Sequence, residues 1–302
     1  MSIATRHVLL VALLAAALGC GNDGGEGETL MTAADALALP RPPADAVIFY
    51  GPDELNFGEL RLPEGEGPHP VAMVIHGGCW LAEYDLGYIS GLAAALAANG
   101  IASWSVEYRR VGDEGGGWPG TFADVAAAAD HLEELSFEHR LDLERSIVVG
   151  HSAGGHLALW LAGRKRLEGG DPLRGESPFA FAGVVSLAGI ADLASYASPD
   201  GCGSAVAGLL DGQPLEVGER LRKASPIEML PLGSELVMVA GARDAIVPTH
   251  QASEFAGAAR RKGNQATVRI VDGAGHFELV DPTHPAGALV VDTARTLAFR
   301  TP

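Results

Sequence analysis

Along most of the chain, short runs of β-branched and other apolar residues alternate with longer alanine-rich stretches whose apolar positions recur at helical spacing. From about Val71 to the C-terminus this alternation continues without an internal repeat or a linker, which predicts one α/β domain built on a mostly parallel sheet. The run PVAMVIHGG, Pro70 to Gly78, is almost continuously apolar and predicts a central strand buried on both faces. Further strands are predicted over Ile101–Arg109, Phe181–Gly189, Glu235–Gly241 and Ala266–Gly273, with a short one at Ile147–Val149. Upstream, Ala46–Gly51 and Leu55–Pro63 predict a pair of antiparallel edge strands joined by a turn at Pro52-Asp53. Helices are predicted from Leu86 to Asn99, stopped by Gly100, and from Thr121 to Leu135, with Thr121 as N-cap and Asp124 in the first turn. Between two strands, Ala191 to Met229 is rich in Gly, Ser and Pro and too long for a simple connector. It predicts a lid-like insertion at about 191–229.

The first residues follow a different pattern. One arginine precedes an eleven-residue apolar run, Val8 to Leu18, which is too short to span a bilayer as a mature helix, and Gly19-Cys20 follows. The pentapeptide AALGC before a polar, glycine-rich stretch resembles a bacterial lipoprotein signal. The resemblance implies a signal peptide over 1–19, a lipidated Cys20, a flexible tether over 20–43 and a catalytic domain over 44–302. The protein is then exported to the periplasm or cell envelope, and it meets a membrane only through the Cys20 lipid.

Charge changes the picture by exclusion. Lys and Arg total 21 against 38 Asp and Glu, a net charge of −17, and no basic cluster exceeds the RRK at Arg260 to Lys262. Nucleic acid is therefore an unfavourable partner. Neither H-E-x-x-H nor a paired-cysteine zinc spacing occurs, so no metal or other cofactor is expected. Beyond Cys20 the chain has Cys79 and Cys202, whose pairing the sequence leaves open.

The candidate chemistry centres on IVVGHSAGGHLALW, Ile147 to Trp160. A strand runs into Ser152, which is flanked by Gly150 and Gly154, and an apolar helix follows. In this G-x-S-x-G turn, small residues let the chain pass close to itself while the serine is held in a strained, exposed conformation. A serine hydroxyl needs a base, a group that orients the base, and donors for a developing oxyanion. His276, in DGAGHFELVDP just past the last predicted strand, is the candidate base. Asp244, in VAGARDAIVP, is the candidate orienting acid; Asp192 is a rival that a helix N-cap explains equally well. The glycines of VIHGGCW, together with Ala153, offer backbone amides to the oxyanion.

These four features occur in the chain order of the α/β-hydrolase pattern, each after a predicted strand. Over about residues 46–300 the chain resembles that fold. It is similar to the esterase/lipase group with an H-G-G-x-W loop, including feruloyl/acetylxylan-esterase-like proteins and kynurenine formamidases. HGGCW, EYRR, GHSAGGHLA, GARDAIVP and GAGHFEL carry the resemblance. It implies an α/β-hydrolase fold, with Ser152 as nucleophile, Asp244 as acid, His276 as base, and oxyanion amides from Gly78, Cys79 and Ala153. The implied substrate is a small or carbohydrate-linked ester. An arylformamidase-type amidase uses the same machinery, and a non-catalytic binding protein on the same fold is the alternative of another class. Trp80, Tyr84 and Trp118, with Tyr88 and Trp104, are candidates for lining the substrate cleft.

Overall fold

In the computed structural model, which describes residues 29–196 and 202–300, eight strands form one sheet in the order β1-β2-β4-β3-β5-β6-β7-β8. The strands are β1 (Ala46–Phe49), β2 (Phe57–Arg61), β3 (His69–Ile75), β4 (Ala102–Val106), β5 (Leu141–His151), β6 (Gly183–Leu187), β7 (Glu235–Gly241) and β8 (Ala266–Val271). β2 runs antiparallel to both β1 and β4, and every other pairing is parallel. The antiparallel pair therefore sits at one edge, as its alternating pattern predicts. Burial follows the sequence: β4 and β6 are wholly buried, and in β3 only His69 is not.

Ten α-helices lie among the described residues: α1 (Ala33–Leu37), α2 (Ser90–Ala98), α3 (Gly120–Asp130), α4 (Leu132–His139), α5 (Ala153–Gly163), α6 (Leu193–Tyr196), α7 (Gly203–Leu210), α8 (Gly218–Ala224), α9 (His250–Arg261) and α10 (Pro285–Ala298). α10 packs on β3, β5 and β6 and against α2, while α5 packs on β3, β5 and β6 and against α3. Every residue of α5 is buried. This layered sheet, with catalytic candidates at the C-terminal ends of its parallel strands, is the α/β-hydrolase fold.

Three expectations need correction. First, the described part of the expected flexible tether, residues 29–43, is folded onto the domain. Thr32 and Asp35 form a reciprocal capping box that starts α1, and Ala36 is buried. Arg61 Nη2 donates to the Pro42 carbonyl at 2.7 Å. Second, Thr121 does not cap α3, which begins a residue earlier at Gly120. Its hydroxyl instead donates to the Arg109 carbonyl and accepts from the Gly117 N–H, while Asp124 pairs with Arg109 at 2.6 Å. The predicted helix also breaks at His131 into α3 and α4. Third, the segment expected to be irregular between β6 and β7 carries α6, α7 and α8, three short helices whose apolar sides pack on the core. The signal-like run and Cys20 lie outside the described residues.

Candidate active site

β5 delivers Ser152 at the first bend beyond its end, with φ 57° and ψ −119°. Such a positive φ is strained for a residue with a Cβ. Its neighbours explain how the turn is tolerated. A Cβ on Gly150 would lie 2.1 Å from the Gly154 carbonyl oxygen, and one on Gly154 would lie 2.2 Å from the Ile75 carbonyl oxygen. Glycine at 150 lets β5 and α5 meet this closely, and glycine at 154 lets α5 approach the end of β3. The turn is anchored by the Ser152 N–H, which donates to the Leu187 carbonyl at 2.8 Å.

Asp244 follows β7, and His276 lies in the loop that follows β8. The structure brings them together: His276 Nδ1 is 2.7 Å from Asp244 Oδ2, and the Asp244 side chain is fully buried. The other oxygen, Oδ1, accepts from the N–H groups of Ile246 and Val247 at 2.8 and 2.9 Å. A carboxylate held by three donors has its orientation fixed, and so does the imidazole it accepts from. The rival Asp192 is elsewhere employed. Its Oδ1 accepts from the Ala194 and Ser195 N–H groups and caps α6.

The loop after β3 is shaped by consecutive positive φ angles, 101° at Gly78, 55° at Cys79 and 57° at Trp80. Its base is held by buried polar groups from the EYRR segment. Tyr108 Oη donates to the His76 carbonyl at 2.8 Å, and the His76 ring bridges the Gly77 carbonyl and Glu107. Burial pushes the Glu107 carboxyl up, but His76 and Arg110 beside it outweigh burial and hold it below the usual carboxylate range. The Gly77 N–H is engaged by Tyr88 Oη. Gly78 and Cys79 are the next amides along, and Ala153, at the first position of α5, has an N–H with no partner inside its helix.

A directional chain of hydrogen bonds joins this loop to the His276 loop. The Gly77 N–H donates to Tyr88 Oη at 2.5 Å, Tyr88 Oη meets His151 Nδ1 at 3.0 Å, and His151 Nε2 meets the His276 carbonyl at 3.0 Å. A carbonyl only accepts, so His151 Nε2 carries the proton and Nδ1 accepts from Tyr88. Burial, reinforced by the adjacent His276, pushes the His151 pKa well down and keeps the ring in that neutral form. His151 is thus a brace beneath the serine.

Ser152, His276, Gly78 and Cys79 border a single cavity of about 210 Å³. Of the expected cleft aromatics, Tyr84 and Tyr88 line it. Trp80 does not: it is fully buried, edge-on to His156, because its backbone turn sends the ring inward beneath the loop. Trp118 is half-buried against Phe122, and Trp104 is a core residue of β4 that donates to the Ala128 carbonyl; neither borders the cavity. Cys79 and Cys202 are joined by a disulfide with Cα atoms 5.1 Å apart, which ties the oxyanion-loop candidate to the start of α7. Sequence reasoning missed the contribution of α1, whose Ala33, Ala36 and Leu37 form one wall. The T-x-x-D of Thr32 to Asp35 was the available signal for that helix.

The BD-FAE family profile matches residues 59–258, from β2 into α9. The chain belongs to the BD-FAE family. The matched span of BD-FAE holds Ser152, Asp244 and the loop after β3, and ends before His276. Among curated proteins, this BD-FAE chain is 29% identical over 271 residues to "Esterase LipC" of Mycobacterium tuberculosis (strain ATCC 25618 / H37Rv), covering 83% of this chain and 63% of LipC. The chain spans less than two thirds of the length of the curated relatives it matches. Among solved structures, a truncated form of a carbohydrate esterase from gut microbiota superposes with a TM-score of 0.73 at 22% identity, covering 85% of this chain and 99% of that one. Esterase B from Lactobacillus Rhamnosis (HN001) superposes at 0.71 with 18% identity, covering 87% and 90%. Both share the fold of this BD-FAE member.

Proposed function

We propose that the chain is a serine carboxylester hydrolase that works through an acyl-enzyme. The observation that carries this reading is the pairing of His276 Nδ1 with the buried Asp244 carboxylate at the cavity where the strained Ser152 emerges. The esterase names of LipC and of both structural neighbours point the same way. In this mechanism His276 Nε2 takes the Ser152 proton as Oγ bonds to the ester carbonyl carbon, and the carbonyl oxygen gains the negative charge. The Gly78, Cys79 and Ala153 amides donate to that oxygen. The carbon–oxygen bond to the alcohol then breaks, with His276 returning the proton to the departing alcohol. Water repeats the sequence on the acyl-serine and releases the acid. Asp244 keeps the proton on Nδ1 and stabilises the imidazolium.

The test is covalent and independent of the natural substrate. A phosphonofluoridate should add one label, on the peptide containing Ser152, and abolish hydrolysis of small esters in step with labelling. Chelators should leave both rates unchanged. Labelling at another serine, or activity restored only by a divalent cation, overturns the assignment. We propose in addition that the protein is exported and lipidated at Cys20; mass spectrometry of the mature N-terminus should find a diacylglyceryl-modified Cys20, and an unmodified N-terminus elsewhere refutes lipidation and leaves ordinary secretory cleavage.

A further inference from the structure

The cavity beside Ser152 is bordered by a segment that the catalytic assignment does not use. Ala33, Ala36 and Leu37 of α1 face it from one side, and Ile246, Phe277 and the Cys79–Cys202 disulfide border it elsewhere. Among the described residues, no carboxylate, amide or cationic side chain lines it. Its remaining polar groups are largely committed. Both His151 nitrogens are occupied, by Tyr88 and by the His276 carbonyl, and Tyr88 Oη also receives the Gly77 N–H. That leaves the hydroxyl of Tyr84, besides the groups assigned to the reaction. A polyhydroxylated sugar buried here would give up its hydration with few partners in return, at a penalty of about 1–3 kcal/mol for each unpaired group.

α1 is positioned for this role by the same loop that carries His276. The Glu278 carboxylate accepts from the Met31 N–H through Oε1 at 2.5 Å and from the Gly275 N–H through Oε2 at 2.9 Å, and the residue is buried. One side chain therefore fixes both the arm and the base loop. At the other end of the arm, Arg61 holds the Pro42 carbonyl and Arg41 pairs with Asp85 at 3.4 Å. The arm is pinned on both sides of α1. The space beside it, about 210 Å³, has room for an aliphatic chain of several carbons.

Building on the serine-hydrolase reading above, we propose that α1 is the specificity wall of the site, and that the buried group of the substrate is short, uncharged and apolar, as in a short-chain alkyl or acyl ester. Leu37 and Ala33 set how long that group can be.

Two substrate series test this on the full-length protein: p-nitrophenyl esters of acetate, butanoate and octanoate, and acetates of methyl, butyl and octyl alcohols. In at least one series, Leu37→Ala should raise the kcat/KM ratio of the eight-carbon to the shortest substrate by about tenfold, and Ala33→Trp should lower the four-carbon to shortest ratio by a similar factor. Leu37 is 41% exposed, so its truncation leaves a folded protein even where Ala33→Trp does not. Ratios unchanged within twofold in both series overturn the wall, and a preference of the parent protein for the eight-carbon over the four-carbon substrate in both series overturns the substrate class. A Ser152→Ala control separates the two levels: if it retains hydrolysis, the catalytic reading has failed, and if it is inactive while the ratios stay fixed, only the wall has failed.

Discussion

The floor and the roof of the cavity are held by different means. The floor consists of strand ends: Ser152 at β5, Asp244 after β7 and the His276 loop after the edge strand β8, each continuous with a strand of the sheet. The roof, α1 on one side and the α7–α8 segment on the other, joins the floor through a few long-range ties. Among those ties are Glu278 to Met31, Arg61 to the Pro42 carbonyl, Cys79 to Cys202, Trp160 Nε1 to the Lys223 carbonyl, and His156 Nε2 to the Ala224 carbonyl at 2.9 Å. A floor built into a sheet keeps reacting groups within fractions of an ångström, as catalysis requires. A roof on a few ties can change its lining without disturbing that geometry.

The largest effect should come from the floor. Ser152→Ala and His276→Ala should each lower kcat for a small ester by about 10⁴-fold or more, with circular dichroism and melting temperature close to those of the parent. Asp244→Asn should lower kcat by roughly 10³- to 10⁴-fold through the wrong imidazole tautomer, whereas Asp192→Asn should alter melting temperature and leave kcat within severalfold. The opposite ranking in steady-state assays would place the acid in the roof segment and dissolve the contrast.

Roof variants should act first on stability. The Cys79–Cys202 bond spans 123 residues of chain, and Cys202→Ser should lower the unfolding free energy by roughly 3–5 kcal/mol in urea titrations. Unfolding free energies equal with and without reductant would show the tie to be idle. His156 sharpens the comparison through pH, because it sits in α5 and bonds to the end of α8. Burial pushes its pKa down to about 4, only partly opposed by the Ala224 hydrogen bond. The unfolded chain, with an imidazole near ~6.5, then binds more protons than the native state between those values. Stability is therefore full above about pH 6.5 and falls as pH drops towards 4, by roughly 3 kcal/mol from this residue. His156→Gln, which keeps a donor for the carbonyl, should flatten that slope; an unchanged slope would shift the effect to His151 or elsewhere.

The same contrast explains what could be read in advance. The floor was legible because its chemistry is local: glycines two residues either side of Ser152, and Asp244 and His276 just beyond apolar strands, announce themselves within a few positions. The sheet was legible for the same reason, since runs such as Val71 to Ile75 are buried throughout. The roof was not, because Met31 and Glu278 meet across 247 positions and neither residue has a local pattern that names its partner. Trp80 shows the limit inside a motif. Its place in HGGCW suggested the cleft, but the left-handed backbone at Cys79 and Trp80 turns the indole into the core. Helix boundaries failed where a competing contact won, as when Thr121 bonded to the Arg109 carbonyl in place of its own helix terminus.

The Cys79–Cys202 bond closes a ring of chain that contains β4, β5 and Ser152 itself. A single peptide cut anywhere within that ring, for example in the glycine-rich loop at 111–119, leaves both halves of the molecule covalently joined. Such a nick would be invisible on a non-reducing gel and would appear as two bands once thiol is added; for a cut at 111–119, a label on Ser152 travels in the C-terminal piece.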